Sequence, residues 1–111
     1  MDALSAILTL KALDGLEARS VATAQNLANA NSPGYRPVRV SFEETLAQAA
    51  AGGPLAAART APRILADPAA DSVRMDLELA TASSTAMRYA ALVEVLNRQL
   101  QIDAVAVSGA R

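Results

Sequence analysis

Cysteine, histidine and tryptophan are absent from this chain, and its only aromatic residues are Tyr35, Phe42 and Tyr89. Without cysteine there is no disulfide, no thiolate nucleophile and no Cys-based metal site. Without histidine there is no imidazole to move protons. The missing cysteine assigns no compartment, since either redox environment accepts a thiol-free chain. Large side chains are scarce too. Apolar residues fill 52% of the 111 positions, but alanine is the commonest of them and buries little area, so a thick, self-sufficient core is hard to build. The length allows one domain at most, and the composition suits paired helices better than a layered fold.

Concentrated charge is also missing. Ten Lys and Arg stand against eleven Asp and Glu, a net charge of −1. No basic stripe forms and no aromatics interleave with Lys or Arg, which argues against a nucleic-acid partner. No apolar run approaches the roughly eighteen residues of a membrane span, so no membrane insertion is expected. Asp2 stands where a secretory leader carries positive charge, and Lys11 interrupts the first apolar run. No cleaved signal peptide is therefore expected. Taken alone, these features describe a cytoplasmic protein.

What is present is organised around residues 26–36, Asn-Leu-Ala-Asn-Ala-Asn-Ser-Pro-Gly-Tyr-Arg. Asn26, Asn29 and Asn31 enter as the apolar spacing before them gives out. Asparagine side chains bond to nearby backbone and so compete with helix continuation. Pro33 pushes Ser32 out of the α region. Pro33-Gly34 suits the two central positions of a type II turn, proline presetting φ and glycine supplying a positive one. The local reading is helix exit, tight turn, extended chain.

Residues 3 to about 30 read as the first helix. Ile7, Leu10, Leu13 and Leu16 step by three, and Ala24, Leu27 and Ala28 extend one apolar side. Asp2 or Ser5 can cap the start. Gly15 inside this pattern costs about 1 kcal/mol relative to alanine and reads as a tolerated defect in preference to a kink or close contact. Beyond the turn, Val38 to Phe42 alternates in the manner of a short strand or extended arm. Glu43 to Leu46 can start a helical turn, which Gly52-Gly53-Pro54 breaks. Residues 47–58 are Ala/Gly/Pro-rich with little to bury and are expected to stay mobile. Arg59 to Leu65 is a further extended candidate.

From about Ser72 the helical period returns. Leu79, Ala82, Ala86, Tyr89, Val93, Leu96, Leu100, Ala104 and Val107 form a near-heptad seam. Glu94 and Arg98 sit four apart in the favourable order, and Gly109 lies where a helix stop is expected. The expected fold is mainly α. Long amphipathic helices over 1–31 and 72–111 pair in a coiled-coil-like hairpin, and 32–71 holds the turn, an extended, partly disordered arm and a flexible linker.

The string from Asn26 to Arg36 closely resembles the N-terminal signature of the flagellar rod and hook axial proteins. There an apolar helix runs into Asn-[Ile/Leu]-Ala-Asn and then [Thr/Ser]-Pro-Gly-Tyr-[Lys/Arg]. The C-terminal helix is similar to the proximal rod branch of the basal-body rod family, where an Asp-rich entry leads to Arg-Tyr and then a Leu-[Ser/Asn]-Arg element. Here those read Val73-Arg74-Met75-Asp76-Leu77-Glu78, Arg88-Tyr89 and Leu96-Asn97-Arg98-Gln99-Leu100. Together the two ends span a little over half the chain. The resemblance implies a structural subunit whose terminal helices assemble into a torque-bearing tube around the export channel. Its implied partners are copies of itself, other rod subunits and the membrane-ring, export-gate end of the basal body. It also implies passage through the flagellum's own type III channel without a cleaved signal, and residence in the periplasmic rod in place of the cytoplasm.

Chemistry competes poorly with that reading. Asp71, Asp76 and Glu78 are close in sequence, but no second cluster or Gly-rich phosphate loop accompanies them. A helix N-terminus collects acidic residues for dipole reasons in any case. Helix termination accounts for Asn26, Asn29 and Asn31 without a ligand. Tyr89 reads as a buried anchor of the seam, and Arg88 as a solvated residue that the resemblance would bring to a neighbouring subunit. No catalytic residue, cofactor or metal is expected. Two alternatives stay open: another rod or hook axial protein, and a free-standing helical-hairpin adaptor or chaperone.

Overall fold

The computed structural model describes residues 1–109. In chain order the elements are α1 (Ala3–Ala28), β1 (Val38–Ser41), α2 (Glu43–Ala50), α3 (Pro54–Ala58), β2 (Arg63–Ala66) and α4 (Met75–Gly109). The protein is mainly helical, with long N- and C-terminal helices and a small two-stranded sheet. At 1.5 Å per residue, α1 runs about 39 Å and α4 about 52 Å, within overall dimensions of 63 × 27 × 14 Å. The two lie antiparallel. The Met1 amino nitrogen is 3.7 Å from the Asp103 carboxylate at one end, and Asn26 meets Glu78 at the other.

Asp2 caps α1, its carboxylate accepting from the Ser5 N–H at 2.7 Å. The helix buries Gly15, Leu16, Ala22, Thr23 and Asn26, which is a helical face turned from the one its sequence suggests. Leu10 is half exposed, and Ala24 and Ala28 face solvent. Gly15 sets that phase. The Phe42 ring lies directly on it, so a β-carbon at 15 would overlap the ring. Gly15 is a close-contact site, and its reading as a tolerated defect is corrected.

The residues expected as an arm and linker hold four short elements. β1 and β2 pair antiparallel from Val38↔Ala66 to Ser41↔Arg63. Val40 of β1, Phe42 just after it and Leu46 of α2 pack with Leu16 and Ala22 in the core. The Ala-rich stretch supplies α3, whose Ala57 is fully buried. A small side chain at that point lets α3 approach α1 closely. Lys11 Nζ donates to the Thr60 carbonyl at 3.0 Å and ties the following loop to α1.

On α4 the period is as expected but the phase is not. Glu78 and Thr85 are buried and Leu92 packs on the core. That line runs one residue ahead of the expected Leu79, Ala86 and Val93. One residue is a turn of about 100° around a helix. Among the described residues, no helix is long and apolar enough to cross a membrane.

Candidate functional site

The turn forms as its residue types dictate. The Asn29 N–H and its side-chain Nδ2 both donate to the Gln25 carbonyl, at 3.0 and 2.9 Å, closing the end of α1. Ser32 Oγ donates to Asn29 Oδ1 at 3.1 Å. The Tyr35 N–H then reaches back to the Ser32 carbonyl at 3.2 Å across Pro33-Gly34, with Gly34 at φ 75°. These are the bond and the positive φ of a type II turn. Asn31 and Pro33 are exposed at its tip.

Asn26 is the hub of the site. It is fully buried, and its carboxamide is used on every side. Nδ2 donates to the Val38 carbonyl at 3.0 Å and to Glu78 Oε2 at 3.0 Å. Oδ1 accepts the Val38 N–H at 2.9 Å and the Tyr35 hydroxyl at 2.8 Å. The side chain thus pairs both backbone groups of Val38 as a neighbouring strand would, capping the edge of β1 from a helix. Termination alone does not account for Asn26. It joins α1, the turn, β1 and α4.

Glu78 is also fully buried. Arg39 Nη1 lies 2.6 Å from its Oε1, near enough to neutralise the charge but off the line of a hydrogen bond, which leaves that oxygen without a directed donor. Arg39 Nε donates to Asp67 Oδ2 at 2.9 Å, so one guanidinium spans β1, the end of β2 and the first turn of α4. Burial works against the Arg39 charge, but the neighbouring Glu78 and Asp67 carboxylates outweigh it and raise the pKa above the ordinary arginine value.

A second ionic cluster lies on the same flank. Arg19 donates to both Glu43 oxygens, at 2.6 and 2.7 Å, and to the Val40 carbonyl at 2.7 Å, with its guanidinium 4.8 Å over the Phe42 ring. Arg88 reaches Glu43 at 3.1 Å. The Arg19 bonds hold the Glu43 carboxyl well below its ordinary 4.5, at about 2; partial burial opposes this and Arg88 adds to it. Arg88 therefore has a partner within its own chain.

The remaining seam residues stay outside this cluster. Leu79 and Leu100 are more than half exposed and Ala86 is exposed, while Val93 and Leu96 are partly covered. Tyr89 is 38% exposed at the lip of a groove between α1 and α4 lined by Leu16, Ser20, Thr85 and Ala86. The expectation of a buried Tyr89 anchor is corrected: Thr85, one turn earlier, takes the inward position. Among the described residues no three His, Cys, Asp or Glu side chains gather in a metal-holding group. Sequence reasoning missed Arg19, Arg39, Glu43 and Asp67 and assigned Glu78 to the helix dipole. The one available signal was that Arg39 and Glu43 alternate with the apolar Val40 and Phe42. A scan of protein-family profiles and a search of curated proteins both return no match for this chain.

Proposed function

We propose that this chain is a structural subunit of the bacterial flagellar basal-body rod, most like the proximal rod subunit. The observation that carries the reading is the string Asn26 to Arg36, because its resemblance and its structural work fall on the same side chains. Asn26, Gly34 and Tyr35 are at once motif positions and the residues that turn the chain from α1 into β1. A second support is apolar surface. Leu79, Tyr89, Leu100 and Val107 leave a long, exposed apolar tract along one side of α4. Burying one such side chain is worth about 1.5–3 kcal/mol, which copies of the chain packed side by side would collect.

On this reading the terminal helices pair in coiled-coil fashion in the assembled rod, and the central arm reaches its final order there. The subunit leaves the cell through the flagellar export channel, joins other rod subunits at the membrane-ring end, transmits torque and encloses the channel. It carries out no catalysis. The test is deletion of the gene followed by inspection of basal bodies. A missing rod, restored by the wild-type chain and not by an exported Leu96→Asp variant, is the expected result; intact rods in the deletion overturn the reading.

One observation favours a free-standing helical adaptor instead. The Asn26–Glu78–Arg39 hub is completed within a single chain, as a stable monomer requires. Circular dichroism of the purified monomer decides between the two: an adaptor gives full helicity and a cooperative melt, and a rod subunit gives partial helicity that rises on assembly.

A further inference from the structure

The two edges of the small sheet are treated differently. The outer edge of β1 is closed by side chains of α1, with Asn26 on both backbone groups of Val38 and Arg19 on the Val40 carbonyl. The outer edge of β2 is open. The Asp67 N–H donates to the Pro37 carbonyl at 2.8 Å, which with the register makes 37/67, 39/65 and 41/63 the hydrogen-bonded pairs. Ile64 and Ala66 therefore point their N–H and C=O groups away from β1, and no partner meets them among the described residues. All four residues of β2 are exposed, Ile64 at 61% and Leu65 at 50%. An open edge of this kind is a template for another strand.

We infer that this edge pairs with β2 of a second copy, joining two sheets into one four-stranded antiparallel sheet about a two-fold axis. Proline selects the register. Pairing Ile64 with its own counterpart would set Ala66 against Pro62, and pairing Ala66 with its counterpart would set Ile64 against Pro68. Neither proline has an N–H to give. The one centred register left is Ile64 with Ala66 of the other copy, which uses all the outward groups. It puts Leu65 beside Leu65 on the axis, in the closer, non-hydrogen-bonded kind of pair.

Charge agrees with that register. Arg63, exposed and without an ion pair among the described residues, falls directly opposite Asp67 of the other copy. Arg63, Leu65 and Asp67 share one face of the strand. Asp67 already accepts from Arg39 and from the Ala69 N–H, and its remaining lone pairs can accept Arg63. The same contacts recur on both sides of the axis, so the pairing closes as a dimer and does not propagate. It uses neither the α4 tract nor the rod reading.

Sedimentation velocity on the full chain, from about 1 μM to about 1 mM, should show a reversible monomer–dimer equilibrium. Leu65→Lys sets like charges on the axis at a half-exposed position and should weaken the dimer on the order of tenfold. Arg63→Glu, which faces Asp67 with a like charge, should weaken it as well, and Leu100→Asp should not. The chain has no cysteine, so Leu65→Cys gives a single reporter, expected to form a disulfide dimer on mild oxidation while Ser41→Cys does not. A chain monomeric at every concentration overturns the proposal. So does a dimer indifferent to Leu65→Lys and Arg63→Glu, or one that Leu65→Cys fails to cross-link.

Discussion

Asn26 and Glu78 lie fifty-two residues apart in sequence and meet through a 3.0 Å hydrogen bond, both side chains fully withdrawn from solvent. The bond fixes where α4 starts against where α1 ends. Its value depends on Asn26 remaining an amide, because Nδ2 must donate and Oδ1 must accept at the same time. A carboxylate there would lose both donations and stand beside another buried carboxylate.

Asn26→Asp should therefore be far more damaging than its shape suggests. Loss of two buried donations together with like-charge burial is expected to cost about 3–5 kcal/mol. Urea denaturation of the two chains at neutral pH measures it. A variant within about 0.5 kcal/mol of wild type would mean the hub is dispensable.

Gly15→Ala tests two opposed effects at one position. Helix propensity alone favours alanine by about 1 kcal/mol. The Phe42 ring occupies the space of the new methyl, and overpacking a rigid contact costs about 1–3 kcal/mol. The expected net result is destabilisation. Pairing it with Phe42→Leu should restore part of the loss, a coupling that a double-mutant cycle reads directly.

How far these features were legible in the sequence follows from the kind of interaction. The helix exit at Asn29, the turn at Pro33-Gly34 and the strand at Val38 are local, and residue type specifies them. Which face of each long helix turns inward is not local. The apolar spacing of Leu10 and Leu79 gave the right period, but the phase was set elsewhere. On α1 the Phe42 ring needs Gly15 beneath it; on α4 Glu78 is drawn in by Asn26 and Arg39. Alanine-rich helices have many near-equivalent faces, so a few long-range polar contacts choose among them. The helical turn at Glu43 and the extended run to Leu65 were legible, but the packing of the Ala-rich stretch between them was hidden for a related reason: Ala57 is fully buried because it is small, and composition reads it as having little to bury.

The Glu43 cluster gives a pH dependence with a definite sign. The folded carboxyl titrates at about 2, below its ordinary 4.5. Its contribution is complete above about pH 4.5 and is lost as pH falls toward about 2. Glu43→Gln should flatten that part of the stability–pH curve, and added salt should shrink the wild-type slope, since the side chain is 45% exposed and screened. An acid limb identical in both chains would assign the loss to other carboxylates.

The seam on α4 separates folding from association. Leu100 is 57% exposed and is not packed on the core, so Leu100→Asp should change monomer stability by less than about 0.5 kcal/mol. If the apolar tract is an assembly face, the same variant should be exported normally yet fail to enter basal bodies. Incorporation at wild-type levels would remove α4 from the interface.

Gly34 carries the last test, because it isolates chain direction from packing. Its φ is 75°, and a side chain added there meets no atom within 4 Å. Any penalty is thus conformational. A β-branched residue resists positive φ, so Gly34→Val should cost about 1–2 kcal/mol or shift the turn to another geometry. Asparagine tolerates the left-handed region, and Gly34→Asn should cost clearly less. A displaced turn would carry Tyr35 and Val38 away from Asn26, so the two variants should also differ in hydrogen-exchange protection of the Val38 amide. Valine and asparagine variants alike in stability, in that amide and in motility at matched export would show that this turn does not direct the chain. A graded loss, valine worse than asparagine, ties the motif that carries the resemblance to the geometry at Asn26.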